Sequence, residues 1–301
     1  MTSQTTTPAL PRVQPAVWTP PKRRRFQTWR RFARNRVAVL ALLIIVVVSL
    51  AAVFAPVLAP FDPAAQQTSL SLRPPLTPEH VLGTDQYGRD ILSRLLFGAR
   101  VSLSVGLVAV AILITVGTVL GALAGYYGGA VDTGIMRFVD VMLSIPQFFL
   151  LLAVVAVFGP SLPMTMLVIG FTSWMGTARL VRGQFLSLRA KEFVTAARVV
   201  GASDSRIILR HLLINTLPVI IIQAALSLSF AILIEAILSY LGLGAQPPTA
   251  SWGNMLSDGK NFMRTAWWLT VFPGLAVFIT VLSFNLIGDA LREVLDPRLK
   301  V

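Results

Sequence analysis

The sequence predicts an all-α integral membrane protein with six transmembrane helices. Composition is the first reason: 55% of the 301 residues are hydrophobic and 13% charged, against about 45–50% and about 25% in soluble domains, and mean hydropathy is +0.73. The second is length. A hydrocarbon core about 30 Å thick takes about 20 helical residues at about 1.5 Å each, and windows 37–59, 101–125, 141–158, 161–178, 212–241 and 265–288 answer to it. The third is the placement of positive charge. If the chain starts inside, all 26 Lys and Arg except Arg73, Arg89, Arg94, Arg100, Lys260 and Arg264 fall in inner segments, as cytoplasmic loops require. Both termini are then cytoplasmic.

Residues 1–36 form a basic tail, with Lys22, Arg23, Arg24 and Arg25 closing a Thr/Pro-rich stretch that cannot bury enough surface to fold. Phe26, Trp29 and Phe32 then recur among arginines, as in a helix lying along the lipid interface. Lipid is the expected neighbour here, and nucleic acid is not. The apolar run 37–59 exceeds the roughly 7–15 residues of a signal peptide and reads as a first anchor. An extracytoplasmic loop is expected over 60–98, ending in an amphipathic lead-in with Ile91, Leu92, Leu95 and Leu96 opposite Arg94. Whether that loop is a surface connector or a platform for a partner stays open.

The permease core is expected over 99–291, followed by a cytoplasmic tail at 292–301. Gly117, Gly121 and Gly125 recur every four residues in the second window, a small-residue face that lets helices approach closely. Packing within the chain is the favoured use, with an intersubunit contact as the alternative. The third and fourth windows are short and border Pro146, Pro160 and Pro163. Asp140 stands three residues from Arg137, where a local pair is expected.

Catalytic motifs are absent. With no cysteine and two histidines, the chain has no H-E-x-x-H zinc helix and no G-x-S-x-G elbow, so no catalytic or metal residue is assigned. The Gly259-Lys260 pair lacks the remainder of a phosphate-binding G-x-x-x-x-G-K-[ST] loop. Glu235 is the one carboxylate deep in an apolar span, a default functional position. At about 1.5 Å per residue from Leu213 it lies about 30 Å along the helix, near the outer boundary. There it would serve as a hydrogen-bonded helix contact or as one wall of an outer gate.

EFVTAARVVGAS (192–203) falls in the predicted cytoplasmic loop, about 184–212. Phe193, Ala196, Ala197 and Val200 follow i, i+3, i+4, i+7 spacing and form one apolar helix face. Gly201 suits the left-handed position that ends a helix, and Ser203 suits the N-cap of the next. The arginines invite a DNA-reading helix-turn-helix, but both ends continue into membrane spans, which denies them a groove.

This stretch with GASDSRIILRHLLINTLP resembles the EAA loop of permease subunits of type I ABC importers, with Ala196, Ala197 and Gly201 matching its small-residue core and Phe193, Thr195, Val200, Ala202 and Ser203 completing the expected ATPase-coupling loop. Thr195 stands where that loop has an acidic residue, and Ile214 where it often has proline. LGTDQYGRDILSR (82–94), AGYYGG, MRFVD and LSIP (124–146), LSYLGLGAQPPTASWGNML (238–256) and FPGLAVFITVLSFNLIGDALREVLDPR (272–298) resemble the C-type permease of dipeptide and oligopeptide importers. The resemblance implies a bacterial inner-membrane complex with a second homologous permease, two cytoplasmic subunits that bind ATP and Mg, and an extracytoplasmic substrate-binding protein. It implies no cofactor in this chain. Glutathione or nickel complexes are the alternative cargo, and a stand-alone secondary transporter the alternative class.

Switching a two-state transporter from 1:99 to 99:1 takes about 5.5 kcal/mol, whereas an exposed salt bridge supplies roughly 0–1 kcal/mol. The apolar face and Gly201 are therefore expected to seat in an ATPase groove, with the arginines steering.

Overall fold

In the computed structural model, described over residues 32–295, the chain is a bundle of helices with no strand among the described residues. The helices of eight residues or more among the described residues are α1 (Arg36–Val53), α2 (Ile91–Tyr127), α3 (Gly129–Ser144), α4 (Gln147–Phe158), α5 (Leu162–Arg189), α6 (Glu192–Val199), α7 (Asp204–Tyr240), α8 (Trp252–Gly259) and α9 (Trp268–Leu295). Five of them, α1, α2, α5, α7 and α9, are long and apolar enough to cross a membrane. The sixth candidate span is the pair α3 and α4, bent by 83° at the break. Most of the basic tail and its Phe26 and Trp29, and the segment from 296 onward, lie outside the described residues.

Local sequence explains where the helices start. Asn35 caps α1, accepting from the Ala38 N–H at 3.1 Å. Ahead of it Phe32 packs on Ala38 of α1 and Ala290 of α9, fastening the lead into α1 to the last described span. Helix α2 opens on Asp90, whose Oδ2 accepts from the Ser93 N–H at 2.8 Å. It runs unbroken for 37 residues, so the amphipathic lead-in and the second span are one helix. Gly98 does not interrupt it; a Cβ there would lie 3.1 Å from Trp252 Cδ1, so the glycine admits that ring. Arg94 is also placed differently from the expectation. It is 2% exposed and faces the protein, because Asp85 and Asp258 neutralise it there.

The core is the seam between α2 and α5. A Cβ on Gly117 would stand 2.6 Å from Thr177 Cβ, and one on Gly125 2.6 Å from Phe185 Cβ. In return Gly170 of α5 admits Ile112 of α2. The small-residue face thus packs within the chain, and dispersion contacts at close range hold helices that lipid does not push together. Glycines at other seams act alike: Gly106 admits Ile232 of α7, and Gly253 of α8 rests on Ala236 and Ser239 of α7.

Segment 60–90, α8 and the start of α9 gather at one end of the bundle, where Ile91, Met255, Ala266, Trp268 and Leu269 form a small core. The motif LGTDQYGRDILSR organises this end. Asp85 Oδ1 accepts from the backbone N–H groups of Tyr87 and Arg89, both at 2.9 Å, and its Oδ2 from Arg89 Nε at 2.5 Å. Arg89 and Arg94 both donate to Asp258 Oδ2, at 3.0 and 3.2 Å, and Trp268 Nε1 donates to the Thr84 carbonyl at 3.1 Å. The loop is bound to the distant half of the chain by part-buried charge-assisted bonds, which are stronger than neutral ones. The opposite end holds the ends of α2 and α5, the start of α7, and α6.

Candidate functional site

Two places in this bundle combine geometry with chemistry: α6 at one end, and a cavity at the middle of the bundle.

Helix α6 ends as the sequence predicts. Gly201 has φ +82°, the Gly201 N–H donates to Arg198 O at 2.9 Å, and the Ala202 N–H to Ala197 O at 3.0 Å. This is a Schellman closure. Ser203 occupies the N-cap position of α7, but its side chain makes no capping bond; its Oγ lies 3.3 Å from Ser205 Oγ. The four residues expected on one apolar face divide. Val194, which spacing did not single out, is 0% exposed and packs with Ile207, Phe185 and Leu212, and the half-buried Ala197 and Ala202 join it. Phe193 at 41%, Val199 at 82% and Val200 at 87% are exposed together with Ala196. Thr195 is exposed as well. On a helix of eight residues apolar groups occur all round, so periodicity alone could not say which side is inward.

The base of α6 is keyed to three long helices. Tyr126 at the end of α2 donates its hydroxyl to Asp204 Oδ1 of α7 at 2.5 Å, and Arg198 of α6 lies 5.7 Å from the centre of the Tyr126 ring. Arg189 of α5 donates to the Tyr126 carbonyl at 2.6 Å. Arg182 of α5 grips Asp132 of α3 with two bonds, at 2.5 and 2.6 Å. Asp140 pairs with Arg179 of α5 at 2.5 Å rather than with Arg137. Through Arg198 and Val194, α6 thus rests on the joined ends of α2, α5 and α7.

The cavity, of about 510 Å³, lies where α3 breaks into α4 at Ile145 and Pro146. Its polar lining is Gln147, Thr172, Ser173, Gln223 and Ser227. Ser173 and Gln223 stand near the middles of α5 and α7. Non-helical backbone at that depth is tolerated where it is buried in protein or borders a wet cavity, and here the cavity is beside it. No pore residue is legible in the sequence; LSIP followed by Gln147 is the signal that could have pointed here, a proline break inside an apolar stretch with an amide next to it.

Glu235 is 0% exposed and lies beneath the loop end. Ser102 of α2 and Ser239 of α7 each donate a hydroxyl to its carboxylate, both at 2.7 Å. Ser102 in turn accepts from the Trp252 N–H at 3.4 Å, and Ser239 from the Ala245 N–H at 3.1 Å. Each serine oxygen is engaged as acceptor, so its proton goes to Glu235, and the carboxylate ties α2, α7 and segment 241–252 together. Glu235→Ala is expected to leave both hydroxyls unpaired at a cost on the order of 2 kcal/mol, read as a lower melting temperature in detergent. Glu235→Gln, offering one acceptor oxygen for two donors, should fall between.

A multi-pass helical bundle with an uncharged, largely apolar cavity near the middles of its long helices and an exposed helix keyed to several spans has the architecture of a transport permease. Residues 117–301 match the family described as binding-protein-dependent transport system inner membrane component, and residues 26–75 match the N-terminal TM domain of oligopeptide transport permease C. The chain belongs to this family, in its C-type peptide-permease branch.

It is 47% identical over 277 residues to the dipeptide transport system permease protein of Escherichia coli (strain K12), covering 90% of this chain and 92% of the relative. It is 44% identical over 274 residues to the corresponding protein of Alkalihalophilus pseudofirmus, covering 91% and 90%. In fold it is similar to an inward-facing structure of the MetNI methionine ABC transporter, with a TM-score of 0.54 at 19% identity, over 67% of this chain and 96% of that one.

Proposed function

We propose that this chain is the membrane-spanning subunit of an importer of di- and oligopeptides and itself performs no chemistry. It pairs with a second, homologous permease. Two cytoplasmic subunits bind ATP and Mg and hydrolyse the nucleotide, and an extracytoplasmic binding protein delivers the cargo. The observation that carries this reading is the α6 cap: Phe193, Ala196, Val199 and Val200 stand exposed on a base keyed to three spans. An apolar patch held rigidly in that way suits a docking surface for a moving partner.

The relatives named as dipeptide permeases support peptide as cargo. The Lys and Arg distribution supports both termini and α6 on the cytoplasmic side of the bacterial inner membrane. Gly201 then acts through backbone shape, and Ala197 and Ala202 by letting α6 sit low on its base.

The test is purification of the complex from its native host, identification of the co-purifying chains, and reconstitution in liposomes. Uptake of a labelled dipeptide that requires ATP and the binding protein, and survives collapse of the proton gradient, is the expected result. Uptake that follows the proton gradient without ATP would refute the reading.

A further inference from the structure

The break between α3 and α4 places the amide of Gln147 on the wall of the cavity. Among the described residues, none that lines the cavity carries a charge. Its polar groups are two carboxamides and three hydroxyls, set among Leu113, Leu143, Met175 and Phe230.

The orientation of the first carboxamide is determined by its neighbours. Thr172 Oγ1 donates its proton to the Val168 carbonyl at 2.7 Å, so towards Gln147 it can only accept. Gln147 Nε2 donates to it at 3.4 Å and to Ser173 Oγ at 2.7 Å. Both N–H groups of the amide are thus engaged, and Gln147 Oε1 is left as an acceptor on the cavity wall. Gln223, which also lines the cavity, donates from Nε2 to Ser227 Oγ at 3.2 Å, one turn along α7, which leaves its Oε1 as an acceptor and its second N–H as a donor.

We infer that Gln147, aided by the Oε1 of Gln223, accepts hydrogen bonds from main-chain N–H groups of a peptide passing through the cavity, making Gln147 a specificity-determining residue that selects for peptide bonds rather than for side chains. The inference rests on the peptide reading above. Every peptide unit other than one before proline presents an N–H that must be satisfied away from water, whereas side chains of passing cargo differ in charge and size. An acceptor that is neutral serves all of them, and a fixed charge would favour one sign over the other. The volume of about 510 Å³ falls within the roughly 300–1,000 Å³ of small-molecule sites.

The experiment uses the complete reconstituted complex with its binding protein at saturation. Uptake is measured for a tripeptide and for the same tripeptide N-methylated at its peptide bonds, and for tripeptides carrying one Lys or one Glu. Because the binding protein is the same throughout, ratios between cargoes are compared across variants. The wild type should prefer the unmethylated peptide, and Gln147→Leu should reduce that preference by about tenfold, as loss of one hydrogen bond implies. Gln147→Glu keeps the shape and should shift the ratio of Lys-peptide to Glu-peptide uptake towards Lys, an effect that a purely structural role would not produce. If the wild type imports peptides and both variants keep its cargo ratios, this inference falls while the peptide reading stands. If the wild type with ATP and binding protein imports no peptide, both fall.

Discussion

Val200→Asp is expected to abolish the stimulation of ATP hydrolysis by loaded binding protein while the chain still inserts and folds. Val200 is 87% exposed and touches no part of the core, so the folded chain loses little. If α6 seats in an ATPase groove, the carboxylate must be buried there without a partner, which costs several kcal/mol in real proteins. Loss of an interface anchor alone is worth about 2 kcal/mol or more, or about 30-fold in the bound population. Stimulated and basal ATPase rates of the reconstituted complex measure the effect, and wild-type stimulation in the variant would sink the docking proposal. Gly201→Val should act differently. Nothing lies within 4 Å of a Cβ at that position, but φ is +82°, and an L-residue in the left-handed region costs about 1–2 kcal/mol. The Schellman closure loosens, so coupling weakens without being lost.

The second large effect is at the core seam. Gly121→Leu should prevent accumulation of folded protein, because a Cβ there would already stand 2.9 Å from Val181 Cβ and 3.1 Å from the Ala178 carbonyl carbon. Backbone of α5 cannot yield as a flexible side chain can. Overpacking typically costs about 1–3 kcal/mol, occasionally more, and here a whole isobutyl group must find room. Gly134→Leu is the control, since nothing lies within 4 Å of its Cβ. Yield of monodisperse protein and melting temperature in detergent report the contrast. Equal behaviour of the two variants would contradict close packing of α2 on α5.

How much of this could be read beforehand differs from residue to residue. The Gly201 turn was legible, because a helix stop depends on the φ of one residue and on carbonyls within five positions of it. The glycine face was legible as a face, since four-residue spacing is itself helical geometry. Val194 was not: Phe193, Val194, Ala196, Ala197, Val199 and Val200 surround a short helix with apolar groups, and only Ile207 and Phe185 packed against one side decide which is inward. Arg94 misled in the same way. An arginine opposite a leucine stripe reads as a lipid-surface or water-facing charge until Asp258, far along the chain, supplies its counter-charge.

The sequence by itself determined the class of fold, five of the six expected apolar spans (the third, 141–158, straddles the break between α3 and α4), the small-residue seam and the turn after α6, and its motifs carried the family resemblance. These follow from hydrophobic length and from spacing within a few residues, which act locally. Tertiary structure decided the 83° break between α3 and α4, the burial of Arg94 and the paired serines on Glu235. It also decided the inward side of α6 and the uncharged cavity at mid-depth. Each of these depends on which distant groups meet, as Ser102 meets Glu235 and Arg94 meets Asp258. Inside a bundle the free energy of a polar side chain is set by its partners rather than by its neighbours in the chain.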